Sequence, residues 1–115
     1  SLIVEGAGGC LVPMNNDNFI IDLARELDLE ILLVSNNYLG SINHTLLTLE
    51  YLKKKDFTLK GVIFNGPENK STEDIIMHHS KAPCFYKVRE MEEISIESIY
   101  RLAEKFKTRW NELGW

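Results

Sequence analysis

Residues 31–34, Ile-Leu-Leu-Val, form an apolar run with no polar residue inside it. A strand with one wet face alternates apolar and polar residues. A continuous run fits a strand covered on both faces, as in a parallel sheet. Parallel neighbours need a crossover, most often a helix, and the following residues supply one. Ile42, Leu46, Leu49 and Lys53 mark a helical stripe widened by Leu47 and Leu52, which predicts a helix capped by Ser41 and running to about residue 54. Residues 59–65, Leu-Lys-Gly-Val-Ile-Phe-Asn, read as the next strand, broken by Gly66 and Pro67.

The same alternation extends in both directions. Ser71, Thr72, Glu73 and Asp74 have capping-box character and open a short helix to about Ser80, which Ala82 and Pro83 end. Residues 84–87 read as a short last strand. Ile99, Leu102, Ala103, Phe106, Trp110 and Leu113 share one face of a long final helix, a stripe for core packing. Upstream, Leu2, Ile3, Val4 and Glu5 read as a strand, and Asp17 as the N-cap of a helix near residues 18–28 with Phe19, Ile20, Leu23, Ala24 and Leu27 on its buried face. Strand and helix in turn predict an α/β fold, three-layer α/β/α with a mainly parallel sheet, as one domain over residues 1–115.

The balance of charge is mildly acidic, −4 over 115 residues, so nothing suggests a nucleic-acid or membrane surface. No apolar stretch approaches the roughly 20 residues of a membrane span. Lys53, Lys54 and Lys55 are a solvated helix end that complements the dipole. Cys10 and Cys84 lie far apart without metal or redox spacing, as in a cytosolic protein. The first residue is Ser, leading straight into a strand, which suggests a processed product or a segment of a longer chain.

Ligands of open parallel sheets bind beyond the carboxyl ends of the strands. Three such ends carry candidate groups: Glu5 with Gly6, Ala7, Gly8 and Gly9; Asn36 and Asn37 with the helix start at Gly40 and Ser41; and Asn65. A carboxylate at a strand end suits Mg²⁺, and glycines let backbone amides approach a phosphate. A helix amino terminus offers unpaired N–H donors to an anion such as a carboxylate. An Asn amide carries both a donor and an acceptor, which matches the N6/N7 edge of adenine. Each has a plain structural alternative: a glycine turn after a core strand, a turn and cap at Gly40 and Ser41, an ordinary turn former at Asn65. His44 fits a packed or solvent-facing helix position, and the adjacent His78 and His79 point apart on a helix.

Three blocks together resemble dethiobiotin synthetase: Val4-Glu5-Gly6-Ala7-Gly8-Gly9 with Val12-Pro13, then Leu39-Gly40-Ser41-Ile42-Asn43-His44-Thr45-Leu46-Leu47-Thr48, then Gly61-Val62-Ile63-Phe64-Asn65. The middle block is the most specific; related P-loop amidotransferases carry similar glycine turns. The resemblance implies a P-loop NTPase-like fold and closure of a ureido ring from a diaminononanoate, CO₂ and ATP. The diamine is carbamated, ATP phosphorylates the carbamate, and the second amine displaces phosphate. It implies Glu5 at the Mg²⁺ and ATP site, Gly6, Ala7 and Gly8 beside the triphosphate, and Asn65 at the adenine. It implies Gly40, Ser41 and Asn43 at the substrate carboxylate of a neighbouring subunit, in a cytoplasmic homodimer.

The resemblance is to the carboxy-terminal half. The G-x-x-x-x-G-K-[ST] phosphate loop and the lysines of the amino-terminal half do not occur in these residues, so the fold is expected to be incomplete and the chain alone inactive. The strand carrying that loop is expected between residues 2–5 and 31–34, a gap that must close or be filled by another chain. Lys87-Val88-Arg89-Glu90-Met91 departs from the family, which usually has a proline-containing adenine contact there. Two other readings remain: a similar nucleotide domain of a cobyrinate-type amidotransferase, and a non-catalytic dimerisation module.

Overall fold

The computed structural model describes residues 2–115. The elements alternate: α1 (Ile20–Glu26), β1 (Ile31–Asn36), α2 (Ser41–Lys54), β2 (Leu59–Asn65), α3 (Lys70–Ser80), β3 (Cys84–Val88) and α4 (Ile96–Glu112). The strands form one sheet in the order β1-β2-β3, and both pairings are parallel. The α/β class with a parallel sheet is therefore what the apolar runs predicted.

Each face of the sheet is covered by the alternate side chains of β2. Val62 and Phe64 point to one side and meet Leu49 of α2 and Ile76 of α3 in a fully apolar core. On the other side, Gly61 faces the aromatic end of the chain. Phe85 of β3 stacks between Phe106 and Trp115, with ring centroids 5.3 Å away in each case, and Trp110 meets it edge-on. Such pairs add to their burial through ring quadrupoles. Arg109 of α4 donates to the carbonyls of Cys84 at 2.9 Å and Phe85 at 3.0 Å, so α4 is also tied to the backbone of the edge strand. The Lys60 ammonium pairs with Glu30 at 2.6 Å and lies over the rings of Trp110 and Trp115.

Four expectations change. Residues 2–5 form no strand; they pair with no part of the sheet, and Ile3 is 93% exposed. A strand needs a hydrogen-bonded neighbour, and here a cavity of 410 Å³ separates Val4 and Gly6 from Ile31 and Leu32. The gap beside β1 thus does not close within this chain. Next, α1 starts later than expected, and Phe19, not Asp17, is its N-cap. The Asn15 side chain takes the amides of Asp17 and Asn18, both at 2.9 Å, and holds Asp17 in a turn. The first amides of α1 bond to Val12 and Cys10 carbonyls, and the Asp22 carboxylate accepts from the Phe19 amide.

The α2 boundaries agree with the sequence, but the buried stripe is Ser41, Thr45, Leu49 and Leu52. Its polar members are satisfied: the Thr45 and Ser35 hydroxyls bond to each other at 2.8 Å inside the protein. Ile42 and Leu47 face outward instead. Ser41 does not cap α2; Gly40 holds that position at φ 97°, where an L side chain is strained. Finally, α3 is capped by Asn69, whose side chain accepts from the Thr72 amide, and Ser71 lies already inside the helix.

A Cβ at position 61 would sit 2.9 Å from Trp115 and 3.1 Å from the Pro83 carbonyl oxygen. Gly61→Ala is expected to lower stability by about 1–3 kcal/mol through overpacking and to shift tryptophan fluorescence in the folded protein. Urea unfolding followed by that fluorescence tests both; an unchanged midpoint and spectrum would contradict this packing.

Candidate functional site

The carboxyl ends of the strands stand in one row. Asn36 pairs with Asn65, and Asn65 with Val88. The Asn65 amide nitrogen donates to the Asn36 side-chain oxygen at 3.1 Å. This bond uses one donor and one acceptor of the pair; the Asn65 Oδ1 acceptor and an Asn36 Nδ2 donor remain, and both residues are exposed. A donor and an acceptor are what an amino-purine edge requires of its partner. Gly66 then turns the chain away at φ 103°, its own amide donating to the Val88 carbonyl.

Behind this row lies a carboxylate with no exposure at all. Glu73, in the first turns of α3, is 0% exposed. It accepts from Arg89 through both oxygens, at 2.8 and 3.2 Å, and from Asn37 at 3.0 Å, and it pairs with Lys87 at 2.7 Å. A buried carboxylate needs such partners, since desolvation alone would neutralise it. Arg89 is the main reason that Glu73 titrates at about 2; desolvation opposes it, and Lys87, Asn37 and the Asn69 amide reinforce it. Lys87 and Arg89 reach the same carboxylate because they are two apart on a strand. They face α3 because the β2–β3 register shifts between Val62 and Ile63, passing over Phe85. Without that bulge their side chains would fall on the α4 face.

Gly40, Ser41 and Asn43 line a second cleft, of 790 Å³, between the start of α2 and the loop that leads into α3. Asn37 joins its walls by donating to the Pro67 carbonyl at 2.8 Å as well as to Glu73. No side chain caps α2; its Ser41 amide donates to the Tyr38 carbonyl at 3.0 Å, which leaves the Ile42 and Asn43 amides as the backbone donors for this cleft. The Asn37 Oδ1 atom is buried without a partner among the described residues. Tyr38 bonds through its hydroxyl to His44 Nδ1, so His44 is a surface side chain in a local pair.

Glu5, Gly6, Ala7 and Gly8 do not join these groups. They line the cavity beside Glu30, Ile31 and Leu32, at the amino end of β1, whereas Asn36 and Asn65 close the carboxyl ends. The sequence placed all three groups along one edge; the structure unites two of them. Glu5 does not stand at a strand end, because residues 2–5 are not a strand. Gly6 has a packing reason for its lack of a side chain: a Cβ would lie 2.7 Å from Ile20 Cγ2. Among the described residues no group of three or more His, Cys, Asp or Glu side chains is placed to hold a metal. Mg²⁺ takes near-octahedral oxygen ligation, and Glu5 alone does not supply it.

A parallel α/β sheet with its polar side chains gathered at the carboxyl ends is an architecture that P-loop NTPase-like proteins share with other open α/β folds. The chain belongs to a family of AAA domains, whose model matches residues 1–98. It is 46% identical over 111 residues to the ATP-dependent dethiobiotin synthetase BioD of Cytophaga hutchinsonii, covering 96% of this chain and 54% of that protein. The enzyme of the same name from Christiangramia forsetii is 41% identical, over 97% of this chain and 54% of its own length. The biotin biosynthesis bifunctional protein BioCD of Bordetella avium is 36% identical over 93% of this chain and 23% of its own. The chain thus spans about half the length of the BioD relatives. No helix among the described residues is long and apolar enough to cross a membrane.

Sequence reasoning missed Glu73 and Arg89. Glu73 read as part of a capping box that opens a short helix. The available signal was the pair of cations at Lys87 and Arg89, spaced for one face of a strand and requiring a buried anion.

Removing the Glu73 charge in Glu73→Gln is expected to cost on the order of 2 kcal/mol at pH 7, because Lys87 and Arg89 lose their partner but can partly rehydrate. The folded pKa is depressed below the unfolded value near 4.3, so the contribution is complete above that pH and is lost as pH falls toward about 2. Urea unfolding of both proteins at pH 7, 4 and 2.5 should show the gap shrinking with acid. A constant gap would show that the charge is not the cause.

Proposed function

We propose that this chain is the carboxy-terminal half of an ATP-dependent dethiobiotin synthetase, contributing the adenine seat and the substrate-carboxylate cleft. The amide pair of Asn65 and Asn36 at the strand ends carries this reading: it offers an adenine edge one acceptor and one donor. The similarity to such enzymes along 96% of the chain supports it. In the complete protein the substrates are a diaminononanoate, CO₂ and ATP. The ring closes after phosphorylation of a carbamate, a step that demands positioning and charge neutralisation. The protein works in the cytoplasm.

Gly40, Ser41 and Asn43 hold the carboxylate of the diamine at the start of α2, where uncapped amides favour an anion. Tyr38, Leu39, Ile42 and Leu47 expose apolar surface around that helix, which supports a homodimer with its sites at the interface. Gly6, Ala7 and Gly8 lie beside the triphosphate, and Glu5 contributes one carboxylate to a Mg²⁺ ion. Mg²⁺ when bound neutralises phosphate charge; its other ligands come from phosphate and from residues outside this chain. A strand from the phosphate-loop half fills the cavity beside β1 and brings Glu5 into the sheet.

The purified chain supplied with Mg²⁺, ATP, bicarbonate and the diamine is expected to form no dethiobiotin, and to bind ATP weakly with loss of binding in Asn65→Ala. Product analysis and calorimetry test this. Turnover by the chain alone, or equal ATP binding by Asn65→Ala, would overturn the assignment. Absence of ATP binding by the unsubstituted chain would favour a dimerisation module.

A further inference from the structure

Four threonines lie in helices, and three of them have committed hydroxyls. Thr45 bonds to Ser35, and Thr48 and Thr108 donate to the carbonyls four residues back, the usual resort of a helical hydroxyl. Thr72 does neither. It is the third residue of α3, so the residue four back is Glu68, outside the helix. Its amide donates to the Asn69 side chain at 3.2 Å, but its hydroxyl has no partner among the described residues, although the residue is only 8% exposed. Thr72 lines the 790 Å³ cleft whose other wall is the start of α2. There Ser41, 2% exposed, brings a second hydroxyl without a partner among the described residues, beside the Ile42 and Asn43 amides. Helices α2 and α3 pack on the same face of the sheet and both begin at its carboxyl edge, so the two hydroxyls reach one cleft from two walls. No Lys, Arg or His lines it, and its one charged residue, Glu68, is exposed and pairs with Arg89 at 3.4 Å. An anion in this cleft is therefore held by neutral donors, and their number decides how well.

We propose that the Thr72 hydroxyl donates to the carboxylate seated at the start of α2, and that it helps this cleft prefer a carboxylate to an uncharged amide. The inference rests on the substrate-carboxylate cleft proposed above and adds to it a residue of α3. A carboxylate accepts at both oxygens, about four bonds in all. The Ile42 and Asn43 amides and the Ser41 hydroxyl supply three from α2, and Thr72 supplies the fourth from the facing wall. A primary amide in the same place has one oxygen only, and its NH₂ group meets backbone donors that cannot accept.

Nonanoate has the acid head of the diamine substrate without its amines, and nonanamide is its uncharged counterpart. Binding of both is measured by ligand-detected NMR titration to the unsubstituted chain, Thr72→Val, Thr72→Ser and Ser41→Ala, each with its thermal unfolding midpoint; Thr45→Val serves as a control for stability. Thr72→Val is expected to weaken nonanoate by about tenfold, the scale of one hydrogen bond to a charged acceptor. Thr72→Ser, which keeps the hydroxyl, is expected to retain the affinity. Because the Thr72 hydroxyl makes no bond within the fold, Thr72→Val should leave the midpoint unlowered, whereas Thr45→Val, which breaks the bond to Ser35, should lower it. Unchanged nonanoate affinity in Thr72→Val overturns the contact, and so does a lowered midpoint or failure to fold, which would place the hydroxyl in the fold. Equal binding of nonanamide and nonanoate overturns the preference. If Ser41→Ala loses nonanoate while Thr72→Val keeps it, the cleft stands and this inference fails. If the unsubstituted chain binds neither probe, both fail.

Discussion

A single buried carboxylate holds the carboxyl edge of this sheet together. Parallel strands are joined by backbone ladders along their length, but beyond their last paired residues nothing in the ladder fixes the loops. Glu73 does so from behind. Through Asn37 it holds the exit of β1, through the Asn69 amide the entry to α3 after β2, and through Lys87 and Arg89 the end of β3. Charge burial is costly in isolation, so the arrangement persists only while all these partners are present. The bulge in β3 belongs to the same device, since it turns the two cations to the side where α3 presents the acid.

Much of the framework was legible in the residues because it rests on local pattern. The continuous apolar run at 31–34 and the segment 59–65 read as strands of a parallel sheet, and β1 and β2 lie there, although Val34 of β1 stays 56% exposed. The stripe of α4 read as core packing is met in part: Phe106 and Trp110 contact Phe85, but no α4 residue is buried and Ile99 is 47% exposed. What was not legible depends on partners distant in sequence. Residues 2–5 have a strand's composition, yet a strand exists only with a neighbour to bond to. Ile42 and Leu47 have core composition but face outward, because Ser41 and Thr45 take the buried side of α2, where the Thr45 hydroxyl is satisfied by Ser35. Asp17 is a good capping residue that lost to the Cys10 and Val12 carbonyls, which reach the first amides of α1 from the preceding loop.

The site divides in the same way. Asn65, Gly40, Ser41 and Asn43 are positioned by elements wholly inside this chain, and they gather at one edge. Glu5 and its glycines are positioned by contacts with α1 and by an open flank of β1, and they stay apart. A motif can thus be read correctly as a strand-and-turn sequence while its place in space remains undetermined, since the sheet that would orient it is incomplete on that side.

The two borders of the sheet are unlike. At β3, the guanidinium of Arg109 occupies carbonyl acceptors and α4 covers the strand, so this border offers little to an incoming chain. At β1, Val34 is 56% exposed and no strand among the described residues lies alongside. Growth of the sheet is therefore one-sided. A two-fold related copy paired at β1 would use up the open border and leave the two covered β3 borders outside, whereas a single added strand would carry an outer edge of its own.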